Sequence, residues 1–317
     1  MDILALGEPL LEFTAGDDRP LEAARTFAVG YGGDTSNVLI SASRCGAATG
    51  YITRIGDDGF GTALLRLWQA EGVDTAHVVR EPGGRTGIYF ISRDAAHSSF
   101  TYYRAGSPAS RLSPADVPGE AVARARALHV SGITQAISVS ACDAAFHAMR
   151  LARRHQTLVS YDPNYRPALW PLERARAVVA RSVELCDVAL PNVEEGRQLT
   201  ELDDPEAVLA WFAARGPRIV ALKMGDRGVL LWDDGRVSEI PPHPVVPVDS
   251  TGAGDAFDGA FVARLVQGDT PSDAARYAAV AGALTTQGDG AVHPIPRDAA
   301  IRSALRKDPI TIHQRRR

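Results

Sequence analysis

Short apolar runs that end in glycine or a polar loop alternate along the chain with longer stretches whose apolar residues recur at helical spacing. DILALG at 2–7 predicts a core strand, and the weaker alternation of EPLLEFTAG predicts an extended ribbon. VGYGGDTSNVLISASRCGA opens on a glycine pair and continues with Val38, Leu39, Ala42 and Cys45 on one helical face. Gly32 and Gly33 therefore stand at a helix entrance, with Asp34 or Thr35 as the cap. Strand ATGYITRIG, turn GDDGFG and helix TALLRLWQAEG then give the strand-turn-helix unit of a parallel sheet. Between 76 and 104 the rhythm breaks: HVVREP, TGIYFISRD and SSFTYYRAG read as strands without room for helices between them. With the ribbon they predict a small β lid built from about 10–30 and 76–105.

Alternation resumes with a helix near 118–126, strand ALHVSG, helix SACDAAFHAMRLARRH, strand TLVSYDP, helix LERARAVVARSVE and strand DVALPN. Two helical pieces over 192–214 follow, then strand PRIVALKMG and a hairpin turning at Asp234-Gly235. Three helices, FDGAFVARLVQ, PSDAARYAAVAGALTTQG and RDAAIRSALRK, complete the pattern, with no internal repeat or low-complexity linker. The expected fold class is α/β, a doubly wound, mainly parallel sheet in one domain over 1–317 with the strand-built lid. Functional loops belong at the carboxyl ends of its strands.

Composition narrows the function without naming it. Hydrophobic residues are 45% and charged residues 23% of the 317, with no run of about 18 apolar residues to span a bilayer. The opening MDILALGEPLLEF lacks a basic flank and reads as core strand rather than signal peptide, so a cytoplasmic protein without membrane contact is expected. A net charge of −4 and no basic stripe argue against a nucleic-acid surface. The one basic run, Arg315 to Arg317, reads as a solvated, disordered tail. Cys45, Cys142 and Cys186 are odd in number and lie in apolar contexts, so they are expected as core thiols.

Chemistry collects in loops that follow predicted strands. In DSTGAGDAFDGAF, Asp249 to Phe261, the small residues Gly252, Ala253 and Gly254 let backbone amides converge on an anion where a helix begins. Asp255 would repel that anion unless it accepts a proton from a group attacking it; the alternative is a simple helix cap. Gly33, Asp34 and Asn37 offer close approach and hydroxyl partners, or a plain glycine turn with a cap. Asp162-Pro163-Asn164-Tyr165-Arg166 ends a strand with a guanidinium suited to a phosphate or carboxylate. Asn192 and Glu195 share a helix face, either to order water around Mg2+ or as a capping box. Lys223, Gly225 and Gly228 form a turn that can approach phosphates or simply close a hairpin. In the lid, Tyr102 and Arg104 face one side of a strand, joined by Tyr89 from its neighbour, as a clamp for an anionic polar ligand or as cross-strand packing.

These motifs, in this order, resemble the ribokinase-like or PfkB carbohydrate kinases over essentially the whole chain. GGDTSN with IGDDGFG resembles that family's first signature, DSTGAGDAFDGAF its second, and NVEE the element between them. GGDTSN, YYRAGS and DPNYR look most like 2-keto-3-deoxygluconate kinases. The resemblance implies ATP-dependent phosphorylation of a sugar-acid hydroxyl with Asp255 as base and the 252–254 amides as anion hole. It implies that Gly33, Tyr89, Tyr102, Arg104 and Arg166 hold the substrate, with Asp289 near its end. Asn192 and Glu195 would organise Mg2+ through water, and Lys223, Gly225 and Gly228 would border the nucleotide. Some members bind a monovalent cation such as K+ at positions matching Asp249 and Thr251. Where the family often has an Asn in its penultimate helix, this chain has AVAGALTT, so adenine contacts through Gly282 and Ala283 are expected to be apolar. Two alternatives stay open: a neutral-sugar or nucleoside kinase such as a fructokinase, and a non-catalytic sugar-binding protein on the same fold. A homo-oligomer through the exposed lid edge is a further expectation.

Overall fold

The computed structural model describes residues 1–16, 19–93, 98–307 and 313–316. Its strands are β1 (Ile3–Leu6), β2 (Leu10–Ala15), β3 (Phe27–Gly32), β4 (Thr49–Gly56), β5 (Val73–Glu81), β6 (Ile88–Arg93), β7 (Ser98–Tyr103), β8 (Ala127–Ser131), β9 (Leu158–Asp162), β10 (Val188–Ala189), β11 (Ile219–Lys223), β12 (Val229–Asp233), β13 (Arg236–Ile240) and β14 (His313–Arg316). The helices are α1 (Asp34–Arg44), α2 (Gly59–Ala70), α3 (Gly119–Arg124), α4 (Gly132–Ala136), α5 (Val139–Arg154), α6 (Leu172–Val183), α7 (Val193–Thr200), α8 (Pro205–Ala213), α9 (Ala253–Gln267), α10 (Pro271–Thr285) and α11 (Asp298–Lys307).

Ten strands form one sheet in the order β14-β13-β12-β11-β10-β9-β8-β1-β4-β5, parallel from β5 to β11 and antiparallel beyond. Both faces are covered. Along β1, Ile3 and Ala5 enter one buried cluster and Leu4 and Leu6 the other, the period-2 alternation expected of a sheet packed on both sides. β3, β2, β6 and β7 make a separate four-stranded sheet. On one side of it Tyr89 stacks on Tyr102 at 5.5 Å between ring centroids, and on the other Phe90 packs on Phe13 at 5.3 Å. Among the described residues no helix is long and apolar enough to cross a membrane.

Three expectations change. The HVVREP strand belongs to β5, which pairs in parallel with β4 in the large sheet, because the crossover through α2 returns the chain beside β4. The small sheet therefore uses 10–32 and 88–103, without 76–81. Arg315 and Arg316 are not tail: they lie in β14, opposite Val237 and Arg236 of β13, whose outer edge would otherwise leave backbone groups unpaired. Arg317 lies outside the described residues. Finally, Gly33 rather than Asp34 or Thr35 occupies the cap position of α1, at φ 96°, where an added Cβ would fall 2.4 Å from the Glu8 carbonyl oxygen.

The contact that positions everything else is between α1 and α9. An added Cβ on Gly259 would lie 2.2 Å from the Val38 carbonyl oxygen, so these backbones touch. Ser41 Oγ donates to the Ala256 carbonyl at 2.7 Å across the same seam. Gly259→Ala is expected to force the helices apart and cost about 1–3 kcal/mol, read as a lower denaturant midpoint. An unchanged midpoint would contradict the close approach.

Candidate active site

Side chains from the carboxyl ends of β9 and β11, the N-termini of α1 and α9 and the small sheet come together at one site. At its centre α9 begins on Gly252, in the left-handed region at φ 75°, where an added Cβ would lie 2.6 Å from the Ala291 carbonyl oxygen. Gly254 has no such restriction, since its added Cβ would meet nothing nearer than Lys223 Nζ at 3.8 Å. Packing gives no reason for a glycine there; a ligand approaching its backbone does. The Ala253 amide is already bonded to the Ser250 carbonyl at 3.2 Å, while the amides of Gly252 and Gly254 have no protein partner among the described residues. Two of the three expected donors are thus free at a helix N-terminus.

Asp255 is the third residue of α9 and does not cap it. Its Oδ2 accepts from Asn37 Nδ2 at 2.8 Å, joining residues 218 apart in sequence. Burial, reinforced by the nearby Asp34 charge and opposed by the Asn37 hydrogen bond, pushes its pKa up to about 7. Asp34 is buried and its pKa is raised for the same first reason. Asp34 Oδ2 accepts from Asn164 Nδ2 at 3.3 Å, while Asp34 Oδ1 and Asn37 Oδ1 are buried acceptors without a partner. Orphaned acceptors beside a titratable acid suit a ligand that brings hydroxyl groups.

Of the expected clamp residues, Tyr89, Tyr102, Arg104 and Arg166 do gather. The Arg104 guanidinium lies over the Tyr102 ring, 5.6 Å from its centroid; burial raises the Tyr102 pKa, and the charges of Arg104 and Arg166 oppose that shift. Two unforeseen acids alter the picture. Arg104 is paired with Glu8, which is 1% exposed, and Tyr89 donates its hydroxyl proton to Glu12. Arg166 is exposed and carries no ion pair among the described residues; its Nη1 donates to the Tyr165 carbonyl at 3.1 Å. The glycine pair is explained by the same neighbourhood, because a Cβ on Gly32 would strike the Tyr89 hydroxyl at 2.5 Å. Asp289 lies in the loop that meets the lid: a Cβ on the adjacent Gly290 would come within 3.2 Å of Glu12 Oε1.

Beyond the anion loop lies a cavity of about 450 Å³ lined by Lys223, Gly225, Gly228, Phe257, Gly282 and Ala283, among others. Its walls are mostly apolar, as expected of the α10 side. A larger cleft of about 650 Å³ opens at the lid's base between Phe60, Phe90 and Tyr103, but its one acid, Asp58, is occupied in capping α2 and holding Thr86. Asn192 and Glu195 form the capping box in full: Glu195 N donates to Asn192 Oδ1 at 2.9 Å and Asn192 N to Glu195 Oε1 at 2.7 Å. Glu195 Oε2 also accepts from Tyr165 N at 2.8 Å, tying this helix to the Arg166 loop. Burial and the nearby Asp162 push the Glu195 pKa up to about 7. Asp249 Oδ1 accepts from the Thr251 amide and hydroxyl at 2.9 and 2.7 Å, and its Oδ2 from Gly290 N at 3.1 Å.

Sequence reasoning missed Glu8, Glu12 and Asp258. A usable signal was present: each interrupts an otherwise apolar run, where a charge has no exposed face and must have a partner.

The pfkB family carbohydrate kinase profile matches residues 2–298. A 2-dehydro-3-deoxygluconokinase of Thermoproteus tenax is 35% identical over 94% of this chain and 93% of its own length. Fructokinase-1 of Oryza sativa subsp. japonica is 31% identical over 94% and 96% respectively. A Vibrio cholerae fructokinase crystallised with fructose, ADP and calcium superposes with a TM-score of 0.86 at 27% identity, over 96% of this chain and 99% of that one. Since the profile and both relatives span nearly the whole chain, it belongs to the pfkB family of carbohydrate kinases and is a sugar kinase that uses ATP.

Proposed function

We propose that the chain phosphorylates the terminal hydroxyl of a keto-deoxy sugar acid, with 2-keto-3-deoxygluconate giving the 6-phosphate as the first choice. The observation that carries this reading is the presence in one site of the orphaned acceptors Asp34 Oδ1 and Asn37 Oδ1 and of the Arg166 guanidinium, which forms no ion pair among the described residues although the Glu195 charge acts on it. The acceptors suit sugar hydroxyls and the guanidinium suits a carboxylate. Tyr89 and Tyr102 would pack on the carbon chain, Gly33 would allow its close approach, and Asp289 would close the far end.

Asp255 takes the proton of the attacking hydroxyl, with Asn37 fixing the carboxylate's orientation. The Gly252 and Gly254 amides and the α9 N-terminus neutralise charge that develops on the transferring phosphoryl group, while Ala253 shapes the turn. Positioning and electrostatics supply most of the catalysis in such a transfer. The nucleotide occupies the cavity between Gly225, Gly228 and Ala283, with its phosphates toward Gly254. Mg2+ would be held largely by water and phosphate. Asn192 and the buried carboxylate of Glu195 would steady its water shell; when bound, the ion neutralises phosphate charge. Asp249 and the Thr251 carbonyl would serve a K+ ion beside the anion loop.

A neutral-sugar reading is favoured by one observation: Glu8 neutralises Arg104, leaving one unpaired guanidinium where the sugar-acid reading expected two. A panel of acceptors with ADP release as readout, including 2-keto-3-deoxygluconate, its galactose-derived epimer, fructose and ribose, separates the two. The keto-deoxy acid is expected to give the highest kcat/KM, and Arg166→Ala to lower it by roughly 10²-fold while fructose kinetics change little. Equal losses on both sugars would favour the neutral sugar.

A second outcome concerns pH. The base acts only when ionised, and its pKa is raised to about 7, so the active form is lost as pH falls through that value. The kcat/KM profile is expected to show an acid limb centred near pH 7 and to fall about tenfold per unit below it. A profile flat to about pH 5 would contradict the assignment.

A further inference from the structure

Behind the anion loop lies a buried charge cluster that the proposed mechanism does not use. Lys223 Nζ sits 2.9 and 3.0 Å from the two oxygens of Asp258 and 3.4 Å from Asp162 Oδ2. Asp258 is 0% exposed and stands one helical turn beyond Asp255 in α9. Lys223 lines the nucleotide cavity, and its ammonium is the nearest group to the open side of Gly254. Both oxygens of Asp258 face the ammonium; burial pushes the Asp258 carboxyl well above the ordinary range, and the Lys223 charge opposes that shift. Burial disfavours the charge on Lys223, but Asp162, Asp258 and Glu195 outweigh it and hold the ammonium above the ordinary lysine range.

A lysine that merely bordered a nucleotide would have no need of a second acid buried in the core of α9. Burying a carboxylate at that depth is costly, and apolar residues surround it on the helix, so a leucine there would have been easier to fold. We propose that Asp258, helped by Asp162, is a positioning residue for phosphoryl transfer: it fixes the Lys223 ammonium against the inner side of the anion loop, between the phosphate cradle and Asp255. The ammonium faces two ways. Toward Gly254 it adds fixed positive charge where the γ-phosphate must lie. Toward Asp255 it offsets the other acids, and the groups that face Asp255 are Asp34 and Asn37 from α1, Tyr89 from β6, Asp162 from β9 and Lys223 from β11. This inference rests on the kinase mechanism given above and adds Asp258 and Lys223 to it.

The test compares Asp258→Asn and Lys223→Met with the parent. Removing the ammonium should move the acid limb of kcat/KM to higher pH, and Asp258→Asn, which releases the ammonium from its place beside Asp255, should move it the same way. Both should lower kcat by roughly 10-fold or more while the acceptor KM changes less than about 3-fold. The Asp255 titration is read independently by carboxyl 13C NMR, assigned with Asp255→Asn, which requires no acceptor. If the parent turns over none of the acceptors offered, the kinase reading fails, and the NMR shifts still decide the positioning claim. Upward shifts in both variants support it. No shift or a downward shift in Asp258→Asn, or a parent-like kcat in that folded variant, overturns it.

Discussion

The seam between α1 and α9 is the constraint on which the site depends. Each helix starts at the end of a different segment of chain, and each brings half of the chemistry in its first turn: Asn37 with the hydroxyl-binding acceptors on one, Asp255 with the free amides on the other. A hydrogen bond of 2.8 Å between two short side chains requires the two backbones to be nearly in contact. Gly259 against the Val38 carbonyl and Ser41 on the Ala256 carbonyl supply that contact, well inside the protein and away from any ligand. Gly259 thus serves the site by what it leaves out.

The second theme is charge held where water is scarce. Asp34, Glu195, Asp255 and Asp258 converge on a small volume beside Asp162, and burial pushes all four carboxyls up. Each is managed differently. Glu195 accepts two backbone amides, Asp258 faces an ammonium, Asp255 keeps a single hydrogen bond, and Asp34 keeps an oxygen with none. The two least satisfied are the two placed where a hydroxyl-bearing ligand would lie. Residual electrostatic discomfort therefore marks the acceptor side of the cleft, while the fully bonded acids serve as framework.

Much of this was legible in the sequence because local rules coincided with global ones. The alternation of strands and helices followed from hydrophobic period, and the motifs of the second half fell on the ends of parallel strands as the topology requires. Failures came where long-range pairing decided the outcome. The HVVREP strand carried no mark saying which sheet it would join, and the basic tail paired with β13 because that edge was open, which no local pattern reveals. The acids Glu8, Glu12 and Asp258 were missed for a related reason: a charge in an apolar run announces a partner but not its identity. Arg104 shows the consequence, since its residue type suggested a free anion receptor and Glu8, far off in the chain, had already claimed it.

The account stands on Asp255 as the group that accepts the hydroxyl proton. The most direct measurement is the turnover of Asp255→Asn with Mg-ATP and the preferred sugar, alongside its affinity for Mg-ATP. The asparagine keeps the shape and its bond to Asn37 by an amide flip, but it cannot take a proton. Turnover is expected to fall by about 10²-fold or more with nucleotide affinity nearly unchanged. Near-parental turnover would contradict the account at its centre.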